Sequence, residues 1–550
     1  MEEKKFNLLD EKWIKTILLD GTAKDYSLIE IFKDAHKIKR LSGELMNQDI
    51  AILRMMLAIL HSIYGKQEDG SYIPLAKVPE LPATPGLMLR RWKALWDSKE
   101  FDIKTIETYL ESYRERFYLF HPEFPFYQVA NLQIGTSYRS AKLNGEIAES
   151  SNKIRLFAQR SGEVKGALSF SEAARWLIHI NAFDDSSGKP KKRPAPAIGT
   201  GWLGKLGMIL AFGDNLFETL LLNFILLRDG ENELWGKEKP IWSIGEVKDA
   251  ERTQISVPDN QAELLTLQSR RLFLNVEDDS IVGFISLGGD FYDDQQEVFN
   301  EQMTCWRKPA KSSRSKRQFE PKRHFVERTV WRDLNNLLVQ SDDIKRPGII
   351  NWLARLKSEG LLDHDTITFV TGGMNYDSQG IVQDIVEDGI SFSSHLLNAL
   401  PFWANRIADE VAMADDMVTQ LARLAENLAK ATGFSESKTR RRPTTNKFRS
   451  SIREEMYFDL DLPFRQWLLK IDPETTDIDE ACEEWWTIVQ KMVRKKGREL
   501  VYQAGEQGMI GRKINEGTED RPIERYYSAP KDYNYFLFKT SSRENLKVGK

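Results

Sequence analysis

The chain has 550 residues and a formal charge of −4, a balance that excludes a uniformly basic nucleic-acid binder but leaves room for local basic patches. Its two cysteines, Cys305 and Cys482, exclude a disulfide framework or a cysteine-rich zinc site. No apolar run reaches the roughly 18 residues of a membrane span, and Met1-Glu-Glu-Lys-Lys leads into a mixed segment without a signal-peptide core, so a reducing cytoplasm is expected.

At about 100–200 residues per domain the length suggests two to four domains. Hydrophobic residues at 41% of the chain suffice for a sizeable core. Up to about residue 385, helical and strand-like segments mix. Residues 49–64 read as a buried helix, with Ile50, Leu53, Leu57 and Leu60 on one stripe and Asp49 as N-cap. Ile281-Val-Gly-Phe-Ile-Ser-Leu and Thr366-Ile-Thr-Phe-Val-Thr read as strands. The second leads into Gly372-Gly-Met-Asn-Tyr-Asp-Ser-Gln-Gly380, whose turn-forming residues signal a hairpin. From about residue 390 the period becomes helical. Met417, Leu421, Leu424 and Leu428 make one stripe, and Trp485, Ile488, Val489 and Met492 another. Residues 453–470 carry Met456, Phe464, Trp467 and Leu468 between them. Such amphipathic segments predict a helical bundle.

Three segments concentrate basic charge among Pro, Ser and Thr. They are Gly188-Lys-Pro-Lys-Lys-Arg-Pro-Ala-Pro, residues 307–323, and Lys438-Thr-Arg-Arg-Arg-Pro with Lys447 and Arg449. Each reads as a loop. Three in one acidic chain point to phosphate contact, with Arg314, Lys316, Arg317, Arg440, Arg441 and Arg442 as non-specific contacts. Catalytic motifs are incomplete. Gly199-Thr-Gly-Trp-Leu-Gly-Lys205 nearly spells a P-loop, yet Leu206 stands where Ser or Thr would ligate magnesium. His364-Asp365 lacks the further His and Asp ligands of a metal phosphohydrolase, and Cys305 has no neighbouring His. No catalytic residue, metal or cofactor is expected.

Several strings, in order along the chain, resemble the CasA family, the large subunits of type I-E CRISPR Cascade complexes. They are Phe6-Asn-Leu-Leu-Asp-Glu-Lys-Trp-Ile14, similar to that family's opening strand, and His121-Pro-Glu-Phe-Pro-Phe-Tyr-Gln128. Gly213-Asp-Asn-Leu-Phe-Glu-Thr-Leu-Leu-Leu-Asn223, Met303-Thr-Cys-Trp-Arg307 and the Gly372–Gln379 string follow. The resemblance implies an α+β chain: a large mixed α/β N-terminal domain, residues 1–388, recognising the motif (PAM) beside a DNA target. A C-terminal four-helix bundle, residues 389–550, would follow. It also implies a non-catalytic, cytoplasmic subunit that binds double-stranded DNA, the guide RNA's 5′ handle and other Cascade subunits, small ones included. It would help unwind the target into an R-loop and support recruitment of a separate helicase-nuclease.

By the same resemblance, Phe157, Ala158, Gln159 and Arg160 form a loop near PAM and guide. Gly188, Lys189, Gly199 and Gly201 stand for a glycine loop that is here Lys- and Pro-rich. The lysine finger of some relatives is missing from Ile285-Ser-Leu-Gly-Gly-Asp290, leaving Lys308 or Lys311 as substitutes. Gln379, flanked by Asp377 and Ser378, is the wedge between the first base pairs, with Asn375 as a register alternative. Two other readings stay open: a P-loop-like nucleotide binder using Gly199–Lys205, and a purely structural scaffold.

Overall fold

The computed structural model describes residues 4–76, 78, 84–145, 160–161, 165–186, 198–244, 253–293, 296–310, 317–399, 401–433, 444–516, 521 and 523–548. The chain is mixed helix and sheet. It divides into two compact units: Met1–Arg328 with Gln340–Gly389, and Thr329–Val339 with Ile390–Lys550. One cut between residues 388 and 389 therefore leaves out Thr329–Val339, which the chain lends to the second unit.

In the first unit the helix Met46–Tyr64 is buried along nearly its whole length. Its sequence is apolar on every face, so water is excluded all round and the helix becomes the core. It packs against the helices Phe170–Phe183 and Gln261–Leu265. It starts three residues before the expected Asp49. That carboxylate accepts from the Gly43 amide at 2.8 Å and so ties the preceding loop to the first turn instead of standing at the N-cap. Arg54, also buried, meets Glu301 in a bidentate pair at 2.9 and 2.8 Å. The expected opening strand over Phe6–Ile14 is two strands, Lys5–Asn7 and Ile14–Leu18, because residues 8–11 turn between them.

The predicted hairpin is formed by Thr366–Tyr376 and Val382–Ser393. Thr366–Tyr376 also pairs antiparallel with Met208–Phe212, Thr368 facing Phe212 and Gly372 facing Met208. Gly372 has no room for a side chain beside Ile50, and Asn47 donates to the Gly373 carbonyl at 2.9 Å. The hairpin is thus braced on the central helix.

In the second unit the long helix Phe402–Thr432 packs against Thr444–Lys470, Ile478–Gln503 and the shorter Ala529–Lys539. Gly433, with φ of 93°, ends the first of these in the left-handed geometry glycine favours. Met417, Leu421, Leu424 and Leu428 are all buried. At the core's centre Trp331 stacks on Phe464 at 4.8 Å and Trp467 on Trp485 at 5.5 Å. Among the described residues, no helix is long and apolar enough to cross a membrane.

Candidate nucleic-acid interface

The site is built on the end of the helix Phe170–Phe183. Its start is fixed by a capping box, Ser169 and Glu172 exchanging side-chain and backbone bonds. The chain leaves the helix through Asp184, Asp185 and Ser186. Buried Arg270 gathers this exit: Nε donates to Asp184 Oδ2 at 2.6 Å, and Nη2 donates to the Asp185 carbonyl at 3.0 Å. The same Nη2 donates to the Gly199 carbonyl at 2.9 Å. Asp185 pairs with buried Lys142. The Gly201 amide donates to the Asp184 carbonyl at 2.8 Å, and a Cβ at Gly201 would collide with Ala182. Asp184, Asp185 and Gly199, which flank the Lys- and Pro-rich stretch in sequence, are therefore held on one guanidinium.

The hairpin tip meets this platform. Tyr376 donates its phenol to the Phe183 carbonyl at 2.6 Å, and burial pushes that phenol's pKa up. Beyond it the tip is shaped by Asp377, whose Oδ1 accepts from the amides of Gln379 at 2.8 Å and Ile381 at 2.9 Å. Gly380 takes a φ of +76°, which a side chain would strain. Ser378 and Gln379 are exposed, and the Gln379 amide group has no partner among the described residues. Asn375 lies inside the strand with its side-chain oxygen buried.

The structure thus brings Asp377, Ser378, Gln379, Gly199 and Gly201 to one place. Phe157, Ala158, Gln159, Gly188 and Lys189 lie outside the described residues. Arg160 does not join the cluster; it pairs with Glu172, about 16 Å away along the helix at 1.5 Å per residue. Arg317 is half-buried, whereas Arg314, Lys316, Lys311, Arg440, Arg441 and Arg442 lie outside the described residues. Lys308, one candidate for the missing finger, is engaged by Asp343 at 2.8 Å.

The P-loop resemblance of Gly199–Lys205 has no matching geometry. Leu203–Lys205 is one 3₁₀ turn, and it is followed by the strand Met208–Phe212 where a helix should begin. The amides of Gly201, Lys205 and Leu206 already donate to Asp184, Trp202 and Leu203. None of these three is left for phosphate. His364 lies beside Asp214 and Glu218. Its Nε2 is 3.2 Å from Glu218, whose hydrogen bond raises the imidazole pKa.

Ser186, Arg270 and Tyr376 escaped the sequence reading, because their partners lie far along the chain. Also missed are Lys491, Lys495 and Arg498, exposed at i, i+4 and i+7 on Ile478–Gln503, with Tyr502 89% exposed one turn on. Their helical spacing is legible in the sequence.

His179, on the supporting helix, is 4% exposed between Trp176 and Phe183, and burial lowers its pKa to about 4. Unfolded, it would titrate near 6.5. The contribution of the neutral ring is therefore complete above that pH and is lost as pH falls towards 4, by about 2 kcal/mol at pH 5. His179→Phe should lose less stability than the wild type between pH 7.5 and pH 5.0 in denaturant unfolding. Equal losses would show that another group carries this acid sensitivity.

A family model described as CRISPR-associated protein Cse1 matches residues 7–495. The chain belongs to the Cse1 family. A CasA/Cse1 protein of Thermus thermophilus is 26% identical over 539 residues, 94% of this chain and 98% of that one. The crystal structure of Thermobifida fusca Cse1 superposes with a TM-score of 0.80 at 30% identity, covering 99% of each chain. A chain from a structure described as a CRISPR RNA-guided surveillance complex shares the Cse1 fold at 16% identity, with a TM-score of 0.65 and 91% of this chain covered. The resemblance drawn from ordered strings and the match of the Cse1 model name the same family.

Proposed function

We propose that the chain is the large, non-catalytic subunit of an RNA-guided type I-E surveillance complex. It recognises the PAM in double-stranded DNA, helps open the target, and supports recruitment of a helicase-nuclease. The observation that carries this reading is the exposed Gln379 amide, without a partner among the described residues, on a hairpin tip braced from below and set beside Asp185 and Gly199, which flank the Lys- and Pro-rich stretch in sequence. A planar amide can hydrogen-bond to exposed base edges once a pair separates, and lysines answer to phosphate. Sequence would be read by guide pairing, with the protein reading only the short flanking motif.

The second unit would form the four-helix bundle that docks on the small subunits. Its exposed Lys491, Lys495 and Arg498 suit phosphate contact. Non-catalysis is supported by the P-loop-like stretch, where the Gly201 amide donates to Asp184 and the Lys205 amide to Trp202 and a strand follows instead of a helix. The assembly would work in the cytoplasm.

The test is duplex opening beside the PAM by complexes reconstituted with and without this chain. A purely structural scaffold would leave PAM-dependent opening intact when the chain is omitted but the rest assembles.

A further inference from the structure

Ser186 stands where two elements of the interface meet. It is three residues past the end of Phe170–Phe183 and two before Gly188, where the Lys- and Pro-rich stretch begins in the sequence. It donates twice to the hairpin tip: Oγ to the Gln379 carbonyl at 2.7 Å, and the backbone amide to the Gly380 carbonyl at 3.1 Å.

Bonds inside the tip cannot do what these two do. Asp377 folds the turn, but a turn folded on itself is free to swing on its two strands. Two donors from outside, on consecutive carbonyls, fix both the position and the rotation of the peptide that carries Gln379. Gly380 fits the same contact, since a Cβ there would overlap the Ser186 side chain. Ser186 is itself held: Asp184 and Asp185 are bound by Arg270 and Lys142, and Arg270 also grips Gly199. The buried contacts of Arg270 and Lys142 thus hold the two residues before Ser186, and Ser186 in turn donates to the exposed tip.

We propose that Ser186 is a positioning residue: it clamps the Gln379 tip to the chain leaving the helix Phe170–Phe183, so that the tip meets DNA from a fixed support. This rests on Gln379 acting as the wedge. A tip that must separate stacked bases is effective only if it does not yield. Removing the clamp should therefore matter when the duplex resists and not when it is already open. Preorganisation of this kind costs affinity when lost, without removing a contact to the ligand.

The experiment uses complexes carrying Ser186→Ala, Ser186→Thr, Gln379→Ala, or Ser186→Ala with Gln379→Ala. Two DNA targets are compared, one fully paired and one mismatched beside the PAM. Ser186→Ala should slow opening of the paired target about fivefold, as expected for one lost hydrogen bond. It should leave the mismatched target near wild type. Ser186→Thr, which keeps the hydroxyl, should restore opening. The double variant should be no worse than Gln379→Ala alone, because an absent wedge needs no aiming. If Gln379→Ala impairs the paired target while Ser186→Ala opens it normally, or if the two losses simply multiply, the clamp is wrong and the wedge stands. If Gln379→Ala itself has no effect, the wedge reading fails and the clamp falls with it.

Discussion

Leu424→Asp is expected to unfold the second unit while leaving the first folded. Leu424 is 2% exposed on the helix Phe402–Thr432. Gly497 of Ile478–Gln503 lies opposite it, close enough that a Cβ there would sit 3.4 Å from Leu424 Cδ2. An aspartate in this place would sit in the buried seam with Gly497 and Phe536, and a lone buried carboxylate either stays protonated or admits water. The cost is at least about 4 kcal/mol at neutral pH, a large share of a typical domain's stability. Hydrogen exchange should show loss of protection throughout residues 402–503, with the helix Met46–Tyr64 still protected. Uniform loss in both units would mean that they fold as one. The same packing bears on truncation. A fragment beginning at residue 390 lacks Trp331, which is fully buried against Phe464, so it should be less stable than one that retains residues 329–339.

Gln379→Ala should impair opening of a fully paired target that carries a correct PAM. Each base-pair step costs about 1.4 kcal/mol to unstack, which is a factor of ten in the equilibrium. A side chain that offsets one step is therefore worth up to about tenfold on a paired target. On a target already unpaired beside the PAM the same variant should bind almost normally, since the unstacking has been done in advance. Asp377→Ala should mimic it in part, because that carboxylate holds the Gln379 and Ile381 amides in the turn. Equal losses on both substrates would point to a general affinity contact, and no loss on either would remove Gln379 from the mechanism.

Local pattern carried much of the fold. The 3.6-residue period of Met417–Leu428 appears as a buried helix face, of the stripe Trp485, Ile488, Val489 and Met492 only Trp485 and Val489 are fully buried, and the apolar run at 366–371 is a strand that leads into a turn at Asp377. What local pattern cannot show is which distant segments meet. Thr329–Val339 carries no mark of belonging with helices some 60 residues later; Trp331 simply reads as another apolar residue until Phe464 covers it. Ser186 and Gln379 are 193 positions apart, and Arg270 lies 85 from Asp185. A serine in a polar stretch and an arginine at the head of a strand give no warning that one clamps the other's neighbours. The near P-loop stayed open as an alternative for the converse reason. Its glycines and Lys205 fit although Leu206 does not, but a Cβ at Gly201 would collide with Ala182, so the close approach there is to the chain's own backbone.

The most direct measurement places a fluorescent base analogue at the first target position beside the PAM and follows its unstacking. Complexes with and without this chain are compared on duplexes carrying a correct or a scrambled PAM. The account predicts rapid unstacking only with the chain present and the PAM correct, and its slowing by Gln379→Ala. Unstacking at the same rate without the chain, or irrespective of the PAM, would contradict it.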